Sequence, residues 1–395
     1  MLRIVRSASG DLFPTDRPLP ASQMIGRRDD VREVAAALEQ GTNLVVAGPR
    51  RTGKTSVCEA ALTRVKGRGF YVAAVDLFRL ADAAELAEAL AAAVLANRSG
   101  TRRAITKARA LGRSALTAAQ ASAVLKMRDQ LGDGVELVVT PGLAQRDPAA
   151  ALAAALELPE RIARADDKRV VLFFDEFQEV AGDRRPYGDP DAVTKRMRAI
   201  FQRSDHVSHL FAGSLEHVMR DLFAPTRRAF SGFGTFKTLR PIDSEEWFEG
   251  LLERFRADDC EPQSGVVERI VELGEGHPRV TMLIAQQTHL ASVLLGTRVI
   301  ELSTVELGYR AALEGDEAAI EETVGRIRSL HKRALLMARR VATGSALHTG
   351  LRSGEGDRAL KALEAAGIIE HEQHGRWRIV NPLLRRYLIE SQPFR

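Results

Sequence analysis

The chain has 395 residues, 45% hydrophobic and 28% charged, with a formal net charge of +5. That length holds two or three domains, and that balance lets a chain bury a sizeable core without disulfides or structural metal. Aromatic residues make up only 5%, while Ala and Leu are abundant, which favours helices. Neither of the two cysteines, Cys58 and Cys260, lies in a CxxC or Cys/His pattern. This argues against a zinc site and fits a reducing, cytoplasmic setting. The N-terminal stretch MLRIVRSASGD is basic but has no apolar core, so it does not read as a signal peptide. No run approaches the roughly 20 apolar residues that a membrane span needs.

Residues 1–24 are polar and carry Pro14, Pro18 and Pro20, so they read as an extended lead-in. Helical spacing of Val31, Val34, Ala35 and Leu38 predicts a helix over 29–40. An apolar run over 43–47 predicts a buried strand, followed by a Gly-rich turn, a helix over 54–66 and a strand over 69–76. From 81 to 165 the pattern is mostly helical, with a short strand at 135–140. Further strands are predicted at 169–174, 209–212 and 235–239. Strands alternating with helices imply a parallel sheet covered on both faces. Beyond Pro241 come helices at 244–256, 265–273, 279–294 and 303–314. The segment from Arg326 onward reads as a separate small domain, and within it residues 330–390 run helix, short helix, helix (356–366), a hairpin pairing 368–370 with 377–380 around Gly375, and a last helix.

Residues 48–55, Gly48-Pro49-Arg50-Arg51-Thr52-Gly53-Lys54-Thr55, match GxxxxGK[ST] and are followed by Ser56. In such a loop successive main-chain N–H groups point inward at an anion. Glycines at both ends permit the tight wrap. Lys54 is placed to reach the β- and γ-phosphates and Thr55 to put a hydroxyl on Mg2+. The following helix directs its positive end at the phosphates. The alternative is a chance match in a basic, Gly-rich turn, which the flanking strand and helix argue against. The pattern predicts ATP with Mg2+ as the bound species.

Residues 170–176 read Val-Val-Leu-Phe-Phe-Asp-Glu, an apolar strand ending in two acids. In an open parallel sheet that end faces the ligand crevice. Asp175 is placed to hold the metal shell, and Glu176 to act as general base toward the attacking water. A strand closing in a solvated acidic turn is the competing account.

Five phrases together resemble one family: MIGRRDDV (24–31), GPRRTGKTS (48–56), LFFDEFQEV (172–180), FAGS (211–214) and GHPR (276–279). They look like the archaeal-type P-loop ATPases of the AAA+/STAND border, relatives of the origin-recognition initiators. The resemblance implies an α/β fold: a parallel five-stranded P-loop sheet of the additional-strand, AAA+-like kind, with a helical lid and a C-terminal winged helix. The domains would be a lead-in (1–24), a nucleotide-binding domain (25–241), a helical lid (242–322) and a winged helix (323–395). The resemblance also implies that Ile25, Gly26 and Arg27 border the adenine pocket. It makes Ser214 a sensor at the end of the additional strand, where a plain Gly-Ser turn fits equally well. Arg227 and Arg228 become arginine-finger candidates, against a solvated basic loop. Arg279 becomes a lid arginine that swings onto the γ-phosphate, against an ordinary helix start at Pro278. The implied activity is slow ATP hydrolysis that works as a switch.

The phrase LKALEAAGIIEHEQHGRWRIVNPLLRRYL resembles a winged helix, whose third helix enters a DNA major groove. Residues 323–395 hold 14 Lys or Arg against 6 Asp or Glu, the concentration expected of a phosphate-backbone partner. Arg358, Lys361, Arg376 and Arg378 are the candidate contacts with duplex DNA. Glu355, Asp357 and Glu364 around that helix oppose that partner, and docking on a protein client is the alternative. A finger acting in trans would require a homo-oligomer. The basic run over 98–113 reads either as a solvated face or as a second anionic contact.

Overall fold

The structure is a computed structural model describing residues 9–98, 143–181, 187–223, 229–239, 241–350, 354–371 and 376–391. In chain order these form α1 (Ser9–Leu12), α2 (Arg28–Glu39), β1 (Leu44–Ala47), α3 (Lys54–Gly67), β2 (Tyr71–Asp76), α4 (Ala83–Leu95), α5 (Pro148–Asp166), β3 (Val170–Asp175), α6 (Pro190–Phe201), β4 (Val207–Gly213), α7 (Glu216–Phe223) and β5 (Thr235–Thr238). Then follow α8 (Ser244–Arg256), β6 (Glu261–Pro262), α9 (Val266–Gly274), α10 (Pro278–Leu294), β7 (Val299–Ile300), α11 (Leu302–Leu330), α12 (Ala334–Thr343), α13 (Glu355–Ala365), β8 (Ile369–His371), β9 (Trp377–Ile379) and α14 (Pro382–Glu390). The strand expected at 135–140 lies outside the described residues, as does the basic run beyond Arg98. Arg98 itself is committed to an ion pair with Asp166 at 2.6 Å.

The chain divides into two compact units. One, Asp30–Gly48 with Val57–Thr238, holds a parallel five-stranded sheet in the order β2-β3-β4-β1-β5. The inner strands β1, β3 and β4 are apolar almost throughout and buried along nearly their whole length, because helices cover both faces of a parallel sheet. The edge strand β5 keeps no fully buried residue. The additional strand is β4, which sits between β1 and β3 as the resemblance implied. A cluster of phenylalanines packs beneath the strand ends. Phe174 stacks on Phe211 at 5.8 Å between ring centroids, and Phe177 packs on Phe211 at 4.6 Å. Each such buried ring contributes roughly 1.5–3 kcal/mol of transfer free energy. They anchor the backbone from which Asp175 and Glu176 project.

The other unit joins Met1–Asp29, Pro49–Ser56 and Leu239–Arg395. Its core runs without interruption from Trp247 and Leu251 through Ile270, Ile284 and Ile327 to Leu363 and Leu388. The lead-in is not merely an extended polar segment. Phe13 is fully buried against Phe255 at 4.8 Å, and Gln286 donates to the Phe13 carbonyl at 2.9 Å. Helix α11 extends to Leu330, well past the 303–314 predicted. The helix carries Gly308, Gly315 and Gly325, and a mid-helix glycine costs only about 1 kcal/mol relative to Ala. The buried stripe Asp316, Ile320, Val324 and Ile327 carries the helix onward. The helix therefore runs through residues 322 and 323 without a break. Strands β8 and β9 pair antiparallel, Ile369 with Ile379 and His371 with Trp377. No short helix is found between α12 and α13 among the described residues.

Candidate functional site

The Gly-rich loop leaves the buried end of β1 and leads directly into α3 at Lys54. Gly53 has φ +89°, a conformation that side chains disfavour. Arg51 also adopts the left-handed region, at φ 66°. For a residue with a Cβ this is strained backbone of the kind concentrated at ligand loops. The Thr52 hydroxyl donates to the Pro49 carbonyl at 2.9 Å, and Lys54 Nζ donates to the same oxygen at 2.5 Å. Lys54 is only 6% exposed. A helix N-terminus such as that of α3 directs its first N–H groups and its positive dipole end outward, a setting that suits an anion.

The expected adenine segment lies against this loop. Arg27, itself buried, donates to the Thr52 carbonyl at 3.2 Å, and the Ser56 hydroxyl accepts from the Leu19 N–H at 2.9 Å. Gly26 has φ +52°, and a Cβ there would stand 2.3 Å from Ile242 Cγ2. Only glycine fits between the loop segment and the start of α8. Ile25 packs onto α8 at Gly250. Arg50 is exposed.

Arg279 occupies the first turn of α10, after Pro278 at the helix start. Its guanidinium makes a two-pronged ion pair with Asp316 of α11, at 2.7 and 2.8 Å. Asp316 is 6% exposed. Burial alone would raise its pKa, but the hydrogen bond and charge of Arg279, then the charge of Arg51, hold it below the usual carboxylate range. Burial, the charge of Arg279 and that of Arg50 push Arg51 down, against the opposing carboxylates of Asp316 and Asp16. His277 caps α10 through Nδ1, which accepts from the Val280 N–H at 3.3 Å. Burial, then the charges of Arg279, Arg378 and Arg51, push its pKa down to about 4. Arg51 of the loop and Arg279 thus share one electrostatic cluster with Asp316.

In the sheet unit, Asp175 and Glu176 sit at the C-terminal end of β3. Glu176 is left-handed, φ 51°, and its N–H donates to Asp175 Oδ1 at 3.0 Å. Ser214 follows β4, and its hydroxyl donates to Glu176 Oε2 at 2.7 Å. Gln178 is buried beside them. Its amide nitrogen donates to Glu176 and, at 3.2 Å, to Ser214 Oγ, while its oxygen accepts from the Ser214 N–H at 3.2 Å. Burial, then the Asp175 carboxylate, pushes the Glu59 carboxyl of α3 up.

The structure therefore brings Glu176 and Ser214 together, and Arg27 with the phosphate loop. It places Arg279 on Asp316. Arg227 and Arg228 lie outside the described residues. Arg358, Lys361 and Arg376 are exposed, whereas Arg378 is half-buried and ion-paired to Glu370 at 2.5 Å. Two residues of these clusters were missed in the sequence. Gln178 stands two positions after Glu176, between the buried Phe177 and Val180, and that spacing is the only local signal for it. Asp316 lies 37 positions from Arg279, and no local pattern links them.

A family model described as an AAA ATPase domain matches residues 23–211. No curated protein matches the sequence. A Walker-type ATPase of Pyrococcus abyssi is 17% identical, with a TM-score of 0.67 over 95% of this chain and 99% of that one. The Aeropyrum pernix ORC2 protein, solved in ADPNP-ADP complexes, is 15% identical, with a TM-score of 0.57 over 96% and 95%. The Aeropyrum pernix ORC1 protein, solved in complex with DNA, is 15% identical, with a TM-score of 0.50 over 97% and 96%. Among the described residues no helix is long and apolar enough to cross a membrane. The chain has the α/β fold of a P-loop ATPase, and its residues 23–211 are similar to the AAA ATPase domain.

Proposed function

We propose that this chain binds ATP with Mg2+ at residues 48–56 and hydrolyses it slowly, as a switch whose nucleotide state is passed to its C-terminal helices and hairpin. The observation that carries this is the Gly-rich loop between a buried parallel strand and the helix that opens at Lys54. Main-chain N–H groups, the helix end and the Lys54 ammonium hold the phosphates. Ile25, Gly26 and Arg27 line the base side. Thr55 and Asp175 would hold the Mg2+, which when bound offsets charge on the β- and γ-oxygens. Glu176 takes a proton from the water that attacks the γ-phosphate, and Ser214 and Gln178 hold that carboxylate in place. Arg279, released from Asp316, supplies positive charge to the phosphates and so ties the nucleotide to the helical unit. Arg228 stays the candidate finger. The domain limits proposed are 25–241, 242–322 and 323–395.

The output proposed is binding of duplex DNA by residues 323–395 in a winged-helix manner. Their positive charge and the exposure of Arg358, Lys361 and Arg376 support it. The DNA complex of the Aeropyrum pernix ORC1 protein, of the same fold, is in keeping with it. A second reading is a STAND-like switch whose C-terminal part docks on its own lid or on a protein client. A specific contact favours it. Arg385 of α14 is ion-paired to Glu275, just after α9, at 2.5 Å, and Arg378 lies close enough to His277 to lower its pKa.

Isothermal calorimetry on Lys54→Ala tests the ATP site. ATP affinity should fall at least about tenfold, the loss of one charge-assisted contact. Equal affinity in variant and parent would end the proposal.

A further inference from the structure

Away from the nucleotide residues, the turn after α8 and the middle of α10 bring three different metal-ligating groups together. The Asp258 carboxylate, the Cys260 thiol and the His289 imidazole have ligand atoms that all lie within 4.8 Å of one another. Cys260 and His289 have no exposed surface, and the Asp258 side chain retains 7%. The local chain explains the convergence. Helix α8 ends at Arg256, and the Cys260 N–H returns to the Phe255 carbonyl at 3.0 Å. Between them Asp259 adopts φ 56°, a left-handed reversal that ends the helix. Its neighbours on either side, Asp258 and Cys260, are both buried. His289 Nε2 stands 3.1 Å from Asp258 Oδ2, and the rings of Phe13 and Phe255 flank the imidazole at 5.9 and 6.5 Å between centroids.

We propose that Asp258, Cys260 and His289 form a zinc site that pins the α8 turn to α10. A thiolate, an imidazole and a carboxylate make a mixed S, N and O donor set. It suits Zn2+ and is wrong for Mg2+ or Ca2+, which take oxygen ligands. A tetrahedral ion with ligand distances of about 2.0–2.3 Å needs donors roughly 3.5 Å apart; the His289 and Asp258 atoms, at 3.1 Å, already stand near that spacing, and no pair of the three lies beyond 4.8 Å. The Asp258 carbonyl oxygen, 3.7 Å from Cys260 Sγ, is within reach as a fourth donor, as is a water. On binding, the Cys260 thiol loses its proton to solvent and its sulfur bonds the metal, while the proton shared by His289 Nε2 and Asp258 moves to Nδ1, freeing the Nε2 lone pair; no redox change is involved. A nucleophilic role for the same Cys and His is excluded by burial, since no substrate reaches a sulfur with 0% exposure.

The test uses the full chain, reduced, stripped with a chelator, and titrated with Co2+. A thiolate-to-cobalt charge-transfer band should grow to about one equivalent per chain and be displaced by Zn2+. That band cannot come from the nucleotide-bound metal, which has no sulfur ligand. Cys260→Ser and His289→Ala should abolish or displace the band, and Cys58→Ser should keep it. Zn2+ should raise the parent's unfolding temperature and leave that of Cys260→Ser unchanged. If the folded parent gives no such band, or if the band survives in Cys260→Ser, the site does not exist. The parent's own titration decides the matter even where a variant fails to fold.

Discussion

The Ser214 hydroxyl donates a 2.7 Å hydrogen bond to Glu176 Oε2, across the ends of the neighbouring strands β3 and β4. Gln178 closes the group by bonding both residues. A carboxylate gripped from two sides has a fixed direction, which is what a base needs to meet a water aligned with the γ-phosphate.

Glu176→Gln should lower the ATPase kcat about 100-fold or more while ATP still binds. Ser214→Ala should lower kcat about tenfold with little change in KM, because one orienting hydrogen bond is lost. Steady-state phosphate release measures both. Full activity in Glu176→Gln would remove the base from Glu176.

Arg279→Ala strands the Asp316 carboxylate, 6% exposed, without the cation that holds its pKa down. Breaking a buried ion pair from one side costs about 3–5 kcal/mol. Urea unfolding at neutral pH should show that loss. The pair also sets an acid limit. Since the folded-state pKa of Asp316 is depressed, its stabilisation is present above the ordinary aspartate pKa of about 3.9 and fades as pH falls through the lower folded value. An unfolding midpoint unchanged in Arg279→Ala would mean the pair contributes nothing.

His277 acts in the same sense as Asp316, but at higher pH. Burial and the neighbouring arginines lower its pKa to about 4, against roughly 6.5 when unfolded. Between those values the unfolded chain binds the proton and the folded chain does not, so stability falls as pH drops from about 6.5 to about 4. The gap amounts to about 3 kcal/mol by the low end. His277→Asn keeps an N-cap acceptor and removes the titration. Its unfolding midpoint should depend less on pH in that window. Some slope remains from His209, which burial pushes down to about 3. Identical slopes in variant and parent would place the pH dependence elsewhere.

Charge reversal at Arg358 and Lys361 separates the two outputs. If duplex DNA is the partner, Arg358→Glu with Lys361→Glu should weaken binding across all sequences and make the salt dependence shallower by about two units of slope. Gel-shift series at several salt concentrations read this directly. No shift by the parent with ATP at low salt would leave the lid- or client-docking reading.

Much of the fold was legible in the sequence. The runs that became β1, β3 and β4 were mostly apolar because a parallel sheet buries both faces, so they could be found without knowing their neighbours. The Gly-rich loop was equally plain, since its chemistry is written in consecutive residues. Helix α11 was predicted only to residue 314, and the buried stripe Asp316, Ile320, Val324 and Ile327 that carries it to Leu330 lies beyond that point. The lead-in was read as extended from its polar residues and its three prolines; what ties it down is Phe13, whose partner Phe255 lies far along the chain.

The sequence alone determined that this chain carries a phosphate loop on a parallel sheet, because both signals are local and set by backbone chemistry. The tertiary structure decided which side chains meet. It put Arg279 on Asp316, closed Gln178 over Glu176 and Ser214, and gathered Cys260 with His289 where spacing had argued against a zinc site. Such pairings depend on how helices pack, and packing brings together residues that no short spacing in the chain connects.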